Sequence, residues 1–484
     1  MTLKLYNSLT RKKELFKPIH NDRILIYTCG MTIYSDAHIG HIRTYSNWDI
    51  LIRYLKYKHP NHDIIHVMNY TDVGHLVDDA DEGEDKIVKR ATERKIHPME
   101  LVDYYVRKFE MDLNDLDIKL ANIMPRATAH IIEMMDFVQE LLNKGFAYET
   151  DRGIYFDIQK FPDYGRMAKL DLEKQKAGAR IEVDTLKRNP HDFTLFVKAP
   201  KEHLMQWTTP WGWKGYPGWH IECSTMARKY LGDTIDIHAG GIEHMTVHHP
   251  NERAQTESLT KKSFANYWLH SNWITLNGEK MSKSTGNYIT AREAINKVGK
   301  ELLRYYLVTL GHYRSNNDFS WEALEQKREE FEKFQTTFAF FDFLFEERIK
   351  DKLKEELISL QVIKFKKEFF DALDDDLNIP NALAVLFTFN RYLNAELKNK
   401  EPKNKEFDQL LSEYLLFKEL AEILAMKPIK YPKIDELLDI LLDLRNSARI
   451  EKNYALADKI RGKLLQLGYK IEDTSKGTIK IHLS

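Results

Sequence analysis

Cysteine is scarce in this sequence, whose 484 residues contain only Cys29 and Cys223. Two thiols so far apart cannot build a disulfide framework, so reduced thiols or metal ligands are the better interpretation. No run is long and apolar enough to cross a bilayer, since even residues 338–345 are few and include a charge. The beginning of the sequence also lacks the apolar core of a signal peptide. We therefore expect a soluble, cytoplasmic protein with no membrane partner.

Excess charge of either sign is also missing, because the formal net charge is −1. This value excludes a uniformly basic coat for nucleic acid, so any RNA contact must be regional. Residues 445–480 are the region that qualifies, with nine Lys or Arg against four Asp or Glu. Such an excess suits phosphate contacts, although a solvated helical face would have the same composition.

Neither glycine-rich phosphate-binding pattern, GxGxxG or GxxxxGK[ST], occurs in the chain. A different strand-to-helix turn is present: the apolar run 24–27 predicts a buried strand, and a helical pattern follows at about 42–57. Such a turn points backbone N–H groups at an anion above the sheet. His38 and His41 lie one helical turn apart there, and Gly40 between them leaves room for a nucleotide. The alternative is that both histidines merely cap and solvate the helix.

A second cationic element is the loop at residues 277–287. Lys280 and Lys283 are separated by Met281 and Ser282, between two turn-forming pairs. A loop of this kind can close on a polyphosphate, although a simple surface lysine loop is the commoner explanation.

A metal site is the third candidate. Cys29 and Cys223 could combine with His248 and Glu252, which are four residues apart and so share one face of a helix. Thiolates and imidazole suit Zn²⁺ better than Mg²⁺ or Ca²⁺. Buried cysteines are, however, commonly just small apolar residues.

The order of predicted elements indicates the fold class. A second buried strand is predicted at residues 63–68, and strand, helix, strand is typical of a parallel sheet. A hairpin pattern at 146–156 predicts an insertion that splits this sheet domain. Beyond residue 290 the periodicity is helical almost to the end, with a break at 378–380 and a last helical segment at 434–467.

These motifs together resemble a known family. His38-Ile39-Gly40-His41 and Lys280-Met281-Ser282-Lys283-Ser284 are similar to the signature pair of class I aminoacyl-tRNA synthetases. Five further sequence segments most closely resemble those of the cysteinyl-tRNA synthetases, and the likeness covers nearly the whole chain. These segments are the residues around Cys29 and residues 71–73, 218–223, 236–238 and 248–252. It implies an α/β Rossmann-like parallel-sheet catalytic domain with an insertion, followed by all-α helical-bundle and C-terminal anticodon-binding regions.

The resemblance also implies domain boundaries. The two halves of the catalytic domain are expected at 1–120 and 207–262, with the connective insertion at 121–206 between them. A connecting domain with the lysine loop, the helical bundle and the anticodon-binding domain are expected at 263–325, 326–430 and 431–484.

The roles that the resemblance implies concern one active site. One Zn²⁺, held by Cys29, Cys223, His248 and Glu252, binds the thiol of L-cysteine and distinguishes it from serine without an editing site. Mg²⁺ comes with ATP, and tRNA(Cys) accepts the activated cysteine from a monomeric enzyme. The implied catalytic residues are His38, His41, Lys280 and Lys283; ATP contacts are Gly40, Met281, Ser282 and Lys283; amino-acid contacts are Trp219, Thr71 and Gly30.

Three departures from the family pattern concern the nucleotide and anticodon contacts. Met31 stands where proline is usual, residues 243–247 differ from the usual run before the two histidines, and Lys480 replaces an aromatic residue. Two alternative functions also remain. One is a ligase that passes cysteine to an amino sugar, and the other is a catalytically inactive, zinc-stabilised RNA-binding paralogue.

Overall fold

A computed structural model describes residues 2–73, 85–168, 186–201, 203–281, 286–348, 353–398, 405–429, 435–474 and 477–482. The chain starts with an antiparallel hairpin and then enters the first strand–helix–strand unit, whose two strands pair in parallel, with Tyr27 opposite Val67. Its elements are β1 (Lys4–Asn7), β2 (Lys12–Leu15), β3 (Arg23–Thr28), α1 (Ile39–Lys58) and β4 (Asp63–Met68).

Three helices follow the first unit. The side chain of Asp85 caps one of them by accepting from two backbone N–H groups, and the next begins with His97 as its cap and Pro98 at its first position. These helices are α2 (Lys86–Arg94), α3 (Pro98–Asp115) and α4 (Ile131–Asn143).

The insertion carries an antiparallel sheet with the strand order β5-β6-β7-β9-β8. Its first two strands pair as the hairpin that the sequence predicted, with Tyr148 opposite Tyr155. The strands are β5 (Ala147–Glu149), β6 (Gly153–Phe156), β7 (Phe193–Lys198), β8 (Trp207–Thr208) and β9 (Lys214–Pro217).

The chain then completes the parallel sheet with α5 (Ile221–Leu231), β10 (Ile235–Gly241), α6 (His248–Thr260) and β11 (Ala265–Ser271). The strand order is β11-β10-β3-β4, and every adjacent pair is parallel. Strand β10 is buried along its whole length, as expected where helices cover both faces of a parallel sheet. The predicted sheet is therefore confirmed.

A small mixed sheet and two helices connect the catalytic domain to the bundle. Strand β12 pairs antiparallel with β13 and parallel with β14, although β14 follows much later in the chain. The elements are β12 (Ile274–Leu276), β13 (Glu279–Lys280), α7 (Ala291–Val298), α8 (Lys300–Thr309) and β14 (Asn317–Phe319).

The helical bundle has an aromatic core in which Phe334 stacks on Phe417 with ring centroids 6.0 Å apart. The break predicted near residue 380 separates two of its helices. No helix in the described part of the chain is long and apolar enough to cross a membrane. The bundle helices are α9 (Trp321–Leu344), α10 (Leu360–Asp374), α11 (Ile379–Lys398) and α12 (Lys405–Ile423).

The C-terminal region differs from the single helical segment predicted at 434–467. Lys452 adopts a positive φ of 60° and Asn453 caps a new helix, so two helices form. A hairpin then follows Gly468, and helical periodicity did not predict it. The elements are α13 (Asp435–Ile450), α14 (Tyr454–Gln466), β15 (Tyr469–Thr474) and β16 (Gly477–His482), and their own small core is Leu438, Leu442, Leu464 and Ile471.

Asp376 ties the bundle to the catalytic domain. This buried carboxylate accepts from the backbone N–H of Tyr6 at 2.8 Å and from the Tyr313 hydroxyl at 2.7 Å. It also pairs with the Arg314 guanidinium at 2.7 Å. The junction is therefore a buried, hydrogen-bonded contact rather than a loose linker.

Candidate active site

The candidate residues gather at the carboxyl edge of the parallel sheet. Cys29 and Gly30 directly follow β3, Thr71 lies just beyond β4, and α6 begins shortly after β10. Because parallel strands end at the same edge, segments distant in sequence meet there. Helix α5 brings Cys223 to the same place.

Cys29, Cys223, His248 and Glu252 form one compact cluster, in which a donor atom from each lies within 4.8 Å of the others. The Nε2 atom of His248 is 3.0 Å from Glu252 Oε1, and Cys29 Sγ is 3.7 Å from the same oxygen. All four side chains are buried. Two sulfurs, an imidazole and a carboxylate within such a radius fit a tetrahedral Zn²⁺.

The electrostatics of this cluster favour a cation. Burial raises the pKa of the Cys29 thiol well above its usual range. Burial acts the same way on Cys223, but Cys29 and His248 outweigh it and lower the pKa of Cys223. Burial lowers the pKa of His248, yet the charges of Glu252 and Cys223 raise it to about 10. These neighbours therefore favour a positive charge at His248, and a bound metal ion would supply that charge in place of a proton.

Further histidines surround the four donors. His238 Nε2 is 2.8 Å from Glu252 Oε2, and the Nδ1 atoms of His220 and His248 are 2.9 Å apart. Hydrogen bonds of this kind to the outer atoms of ligands fix their orientation. Burial raises the pKa of Glu252, but His238 and His248 outweigh it and hold this pKa far below its usual value.

A second four-donor set overlaps the first, because Cys29 and Glu252 also lie within 4.8 Å of His238 and His249. His249 Nε2 is 3.3 Å from Cys29 Sγ, and its Nδ1 is 2.8 Å from His270. Sequence reasoning did not name His238 or His249 as donors. Both residues could have been noticed, because His238 lies on the buried strand β10 next to β3 and His249 directly follows His248 in the sequence.

His38 and His41 begin helix α1. The Nδ1 atom of His38 accepts from the backbone N–H groups of Gly40 and His41, and His41 Nδ1 accepts from the N–H of His38. The two rings stack with centroids 3.6 Å apart. The two histidines therefore do cap the helix, which the sequence offered as the alternative to phosphate binding. Because each Nδ1 accepts a hydrogen bond, a neutral ring carries its hydrogen on Nε2.

The segment after the lysine loop pairs with this helix start. Ile39 N–H donates to Ile289 O at 3.1 Å, and Ala291 N–H donates to Ala37 O at 2.8 Å. A Cβ added to Gly40 would come within 3.1 Å of the Met281 side chain, so Met281 packs against the turn at the start of α1. Ser282 and Lys283 lie outside the described residues, and so does the side chain of Lys280, whose backbone belongs to β13.

The predicted amino-acid contacts lie beside the cluster. The Trp219 ring is half-buried, and its centroid is 4.6 Å from that of His248. Gly30 and Thr71 both bond to the buried amide of Asn69, a residue that sequence reasoning missed.

Glu222 was also missed. Its side chain is fully buried next to Cys223, and the Thr71 side chain is a polar neighbour of its carboxyl group. Burial raises its pKa well above the usual value, and the negative charges of neighbouring groups act in the same direction.

Several cations of the basic C-terminal region pair with acids of the same region. Arg445 and Arg449 both pair with the single carboxylate of Asp473. Lys470 pairs with Glu472 at 2.9 Å. These paired cations belong to the nine that the composition counted.

Comparisons with known proteins agree on one family. The model of the family described as "tRNA synthetases class I (C) catalytic domain" matches residues 15–329, and that of the "DALR domain" matches 368–426. The cysteine–tRNA ligase of Chlorobaculum tepidum is 42% identical over 488 residues, covering 98% of each chain. That of Thermococcus gammatolerans is 38% identical over 495 residues, covering 99% of each.

Among solved structures, Mycobacterium tuberculosis methionyl-tRNA synthetase in complex with methionyl-adenylate matches with a TM-score of 0.58 and 12% identity. The match covers 84% of this chain and 90% of that one, and at this identity it concerns the fold alone.

Proposed function

This chain belongs to the cysteine–tRNA ligase family of class I aminoacyl-tRNA synthetases, and from that premise we propose how its residues divide the reaction. The ligase activates L-cysteine with ATP, giving cysteinyl-adenylate and pyrophosphate, and transfers the cysteinyl group to the 3′ end of tRNA(Cys). The observation that carries the proposal is the buried cluster of Cys29, Cys223, His248 and Glu252 within 4.8 Å.

We propose that this cluster is a zinc site that selects the substrate. Metal coordination deprotonates a thiol, whose reference pKa is about 8.5, whereas a serine hydroxyl is a harder and far less acidic donor. Cys29, Cys223, His248 and Glu252 hold the ion at the edge of the pocket. Because the distinction is chemical, a second hydrolytic site is unnecessary.

The activation step needs charge stabilisation rather than a general base. The substrate carboxylate is already ionised and attacks the α-phosphorus of ATP, while the bond to the β,γ-pyrophosphate breaks. We assign the Nε2–H groups of His38 and His41 to phosphate oxygens in the transition state. Lys280 and Lys283 close over the leaving pyrophosphate, with Mg²⁺ bound to ATP.

The remaining assignments concern binding. Gly40, Met281 and Ser282 contact ATP beside Lys283, and Gly40 is supported by its position between the two histidines. Trp219, Thr71 and Gly30 contact the amino acid, which is supported by their proximity to the cluster.

The tRNA contacts are assigned to the helical half of the chain. The match of residues 368–426 to the DALR domain supports a tRNA-binding bundle, and residues 431–484 form the proposed anticodon-binding domain. The other boundaries predicted from the sequence, together with a monomeric state and a cytoplasmic location, stay predictions.

Cysteine-dependent exchange of pyrophosphate into ATP tests this proposal, with serine as the control. The purified holoenzyme should catalyse exchange with cysteine, show at most background exchange with serine, and contain about one zinc per chain. It should then charge tRNA(Cys). Exchange without tRNA charging would instead support the ligase that acts on an amino sugar, and no exchange would support the inactive RNA-binding paralogue.

A further inference from the structure

Asn69 bonds to groups from three separate parts of the pocket. Its Oδ1 accepts from the backbone N–H of Gly30 at 2.9 Å, and its Nδ2 donates to Thr71 Oγ1 at 3.1 Å. The Sγ atom of Cys223 lies 3.7 Å from the same Oδ1. We infer that Asn69 is a positioning residue that holds the amino-acid subsite in register with the metal donors. This inference rests on the proposed function and deepens it.

The orientation of the Asn69 amide follows from its partners. The backbone N–H of Gly30 is a donor only, so the atom that faces it must be the carbonyl oxygen of the amide. The NH₂ group is then directed at Thr71. With no exposed surface, the side chain has no water to replace either partner, and loss of the bonds leaves buried polar groups unsatisfied.

The backbones that Asn69 joins are already in close contact. A Cβ added to Gly30 would come within 1.5 Å of the carbonyl oxygen of Asn69, so only glycine permits this approach. Ile33 N–H donates to Thr71 O at 3.0 Å, and Thr32 bridges Thr71 in parallel. The segments after β3 and β4 therefore pair again beyond the sheet, but one residue out of the register that sets Thr28 opposite Met68. The Asn69 side chain bonds to both segments at this shift.

The bond from Asn69 sets the direction of the Thr71 hydroxyl. One lone pair of Oγ1 accepts the amide hydrogen, so the hydroxyl hydrogen must point away from Asn69. The hydrogen and the second lone pair share the two remaining staggered positions, so the second lone pair can accept from the ammonium group of the amino acid. A hydroxyl with two orientations in place of three loses less rotational freedom when the substrate binds, which favours affinity.

A double-mutant cycle with Asn69→Ala and Thr71→Val tests this inference. Each single variant should raise the KM for cysteine about tenfold in the exchange assay, while kcat and the KM for ATP change less than about threefold. Because Asn69 acts through Thr71, the KM of the double variant for cysteine should be within about twofold of the KM of the more impaired single variant. Calorimetric titration of the zinc-loaded proteins with cysteine should show the same loss of affinity, with the zinc content unchanged.

Asn47→Ala is the matched control. Asn47 is equally buried and donates from Nδ2 to the Ser271 hydroxyl at 2.9 Å, so its bond joins α1 to β11 and not the segments after β3 and β4. This variant should lose thermal stability without a change in the KM for cysteine. If Asn69→Ala does not fold, Asn69→Asp keeps the acceptor for Gly30 but has no hydrogen for Thr71, and the same rise in KM is expected.

Three outcomes would overturn the inference. The KM for cysteine could be unchanged in a folded Asn69 variant, or it could rise equally in the Asn47 control. The third outcome is a double variant whose rise in KM equals the product of the rises caused by Asn69→Ala and Thr71→Val. Each of these presupposes a wild-type enzyme that exchanges pyrophosphate with cysteine. Failure of the wild-type enzyme itself would instead refute the proposed function.

Discussion

The imidazole of His38 stacks on that of His41 with centroids 3.6 Å and planes 19° apart, and each ring accepts a backbone N–H of the other residue. This reciprocal pair is a capping box built from two histidines. Because both Nδ1 atoms accept hydrogen bonds, both neutral rings carry their hydrogen on Nε2. Helix capping thus fixes the tautomer that phosphate binding requires, and the two interpretations of the motif are compatible.

His38→Asn should separate capping from catalysis. Asparagine is a good N-cap and can accept the same backbone N–H groups, but its short side chain lacks the Nε2–H donor. We expect the rate of exchange to fall about 10²- to 10³-fold, with helix stability changed by less than about 1 kcal/mol. Single-turnover adenylate formation and thermal unfolding measure the two effects. Activity within threefold of the wild type would contradict the role given to His38.

Gly40→Ala should displace the first histidine without unfolding the protein. An added Cβ would lie 2.9 Å from His38 Cε1 and Nδ1, closer than Cβ contacts are found, so the ring must move. We expect adenylate formation to slow at least about tenfold, since a small displacement of a catalytic group has a large effect. Gly462→Ala is the control, because Gly462 lies within α14 with nothing within 4 Å of an added Cβ. It should be active and more stable by up to about 1 kcal/mol.

The sequence predicted that Cys29, Cys223, His248 and Glu252 belong together, and the structure brings them into one cluster, because their chemistry is visible without coordinates. Thiols are rare in this chain, and the four-residue spacing of His248 and Glu252 places them on one helical face. Asn69 has no comparable signal. It is an uncharged residue at the end of a strand, and its importance depends on the register of β3 against β4, which no periodicity encodes.

Composition was a weaker guide at the C-terminus. The excess of Lys and Arg was counted correctly, but a count does not reveal that Arg445 and Arg449 share the carboxylate of Asp473. The predicted helical segment ended at residue 467, and the hairpin after Gly468 was missed because its apolar residues alternate in two strands too short to give a clear pattern.

Cys223→Ser should remove zinc and cysteine affinity together. Serine keeps the size of the side chain but is a hard, neutral donor that Zn²⁺ binds poorly. We expect zinc below about a tenth of an ion per chain by elemental analysis, and a KM for cysteine raised at least about a hundredfold. The adjacent Glu222→Gln variant is the control, because glutamine has nearly the same size and shape as glutamate and Glu222 is outside the four-donor cluster, so this variant should retain one zinc. A zinc content near one in Cys223→Ser would contradict the ligand set.

His66 should make the stability of the catalytic domain depend on pH. Burial lowers the pKa of its imidazole from 6.5 to about 4, and Thr28 Oγ1 lies 2.8 Å from its Nε2. Between pH 6.5 and 4 the unfolded chain binds a proton that the folded chain excludes, so stability is complete above pH 6.5 and falls as the pH decreases towards 4. Over the whole interval this loss is about 3 kcal/mol. The free energy of unfolding, measured by urea unfolding at pH 7.5 and at pH 5, should differ less between the two pH values in His66→Gln than in the wild type. An equal difference in both proteins would show that another group is responsible.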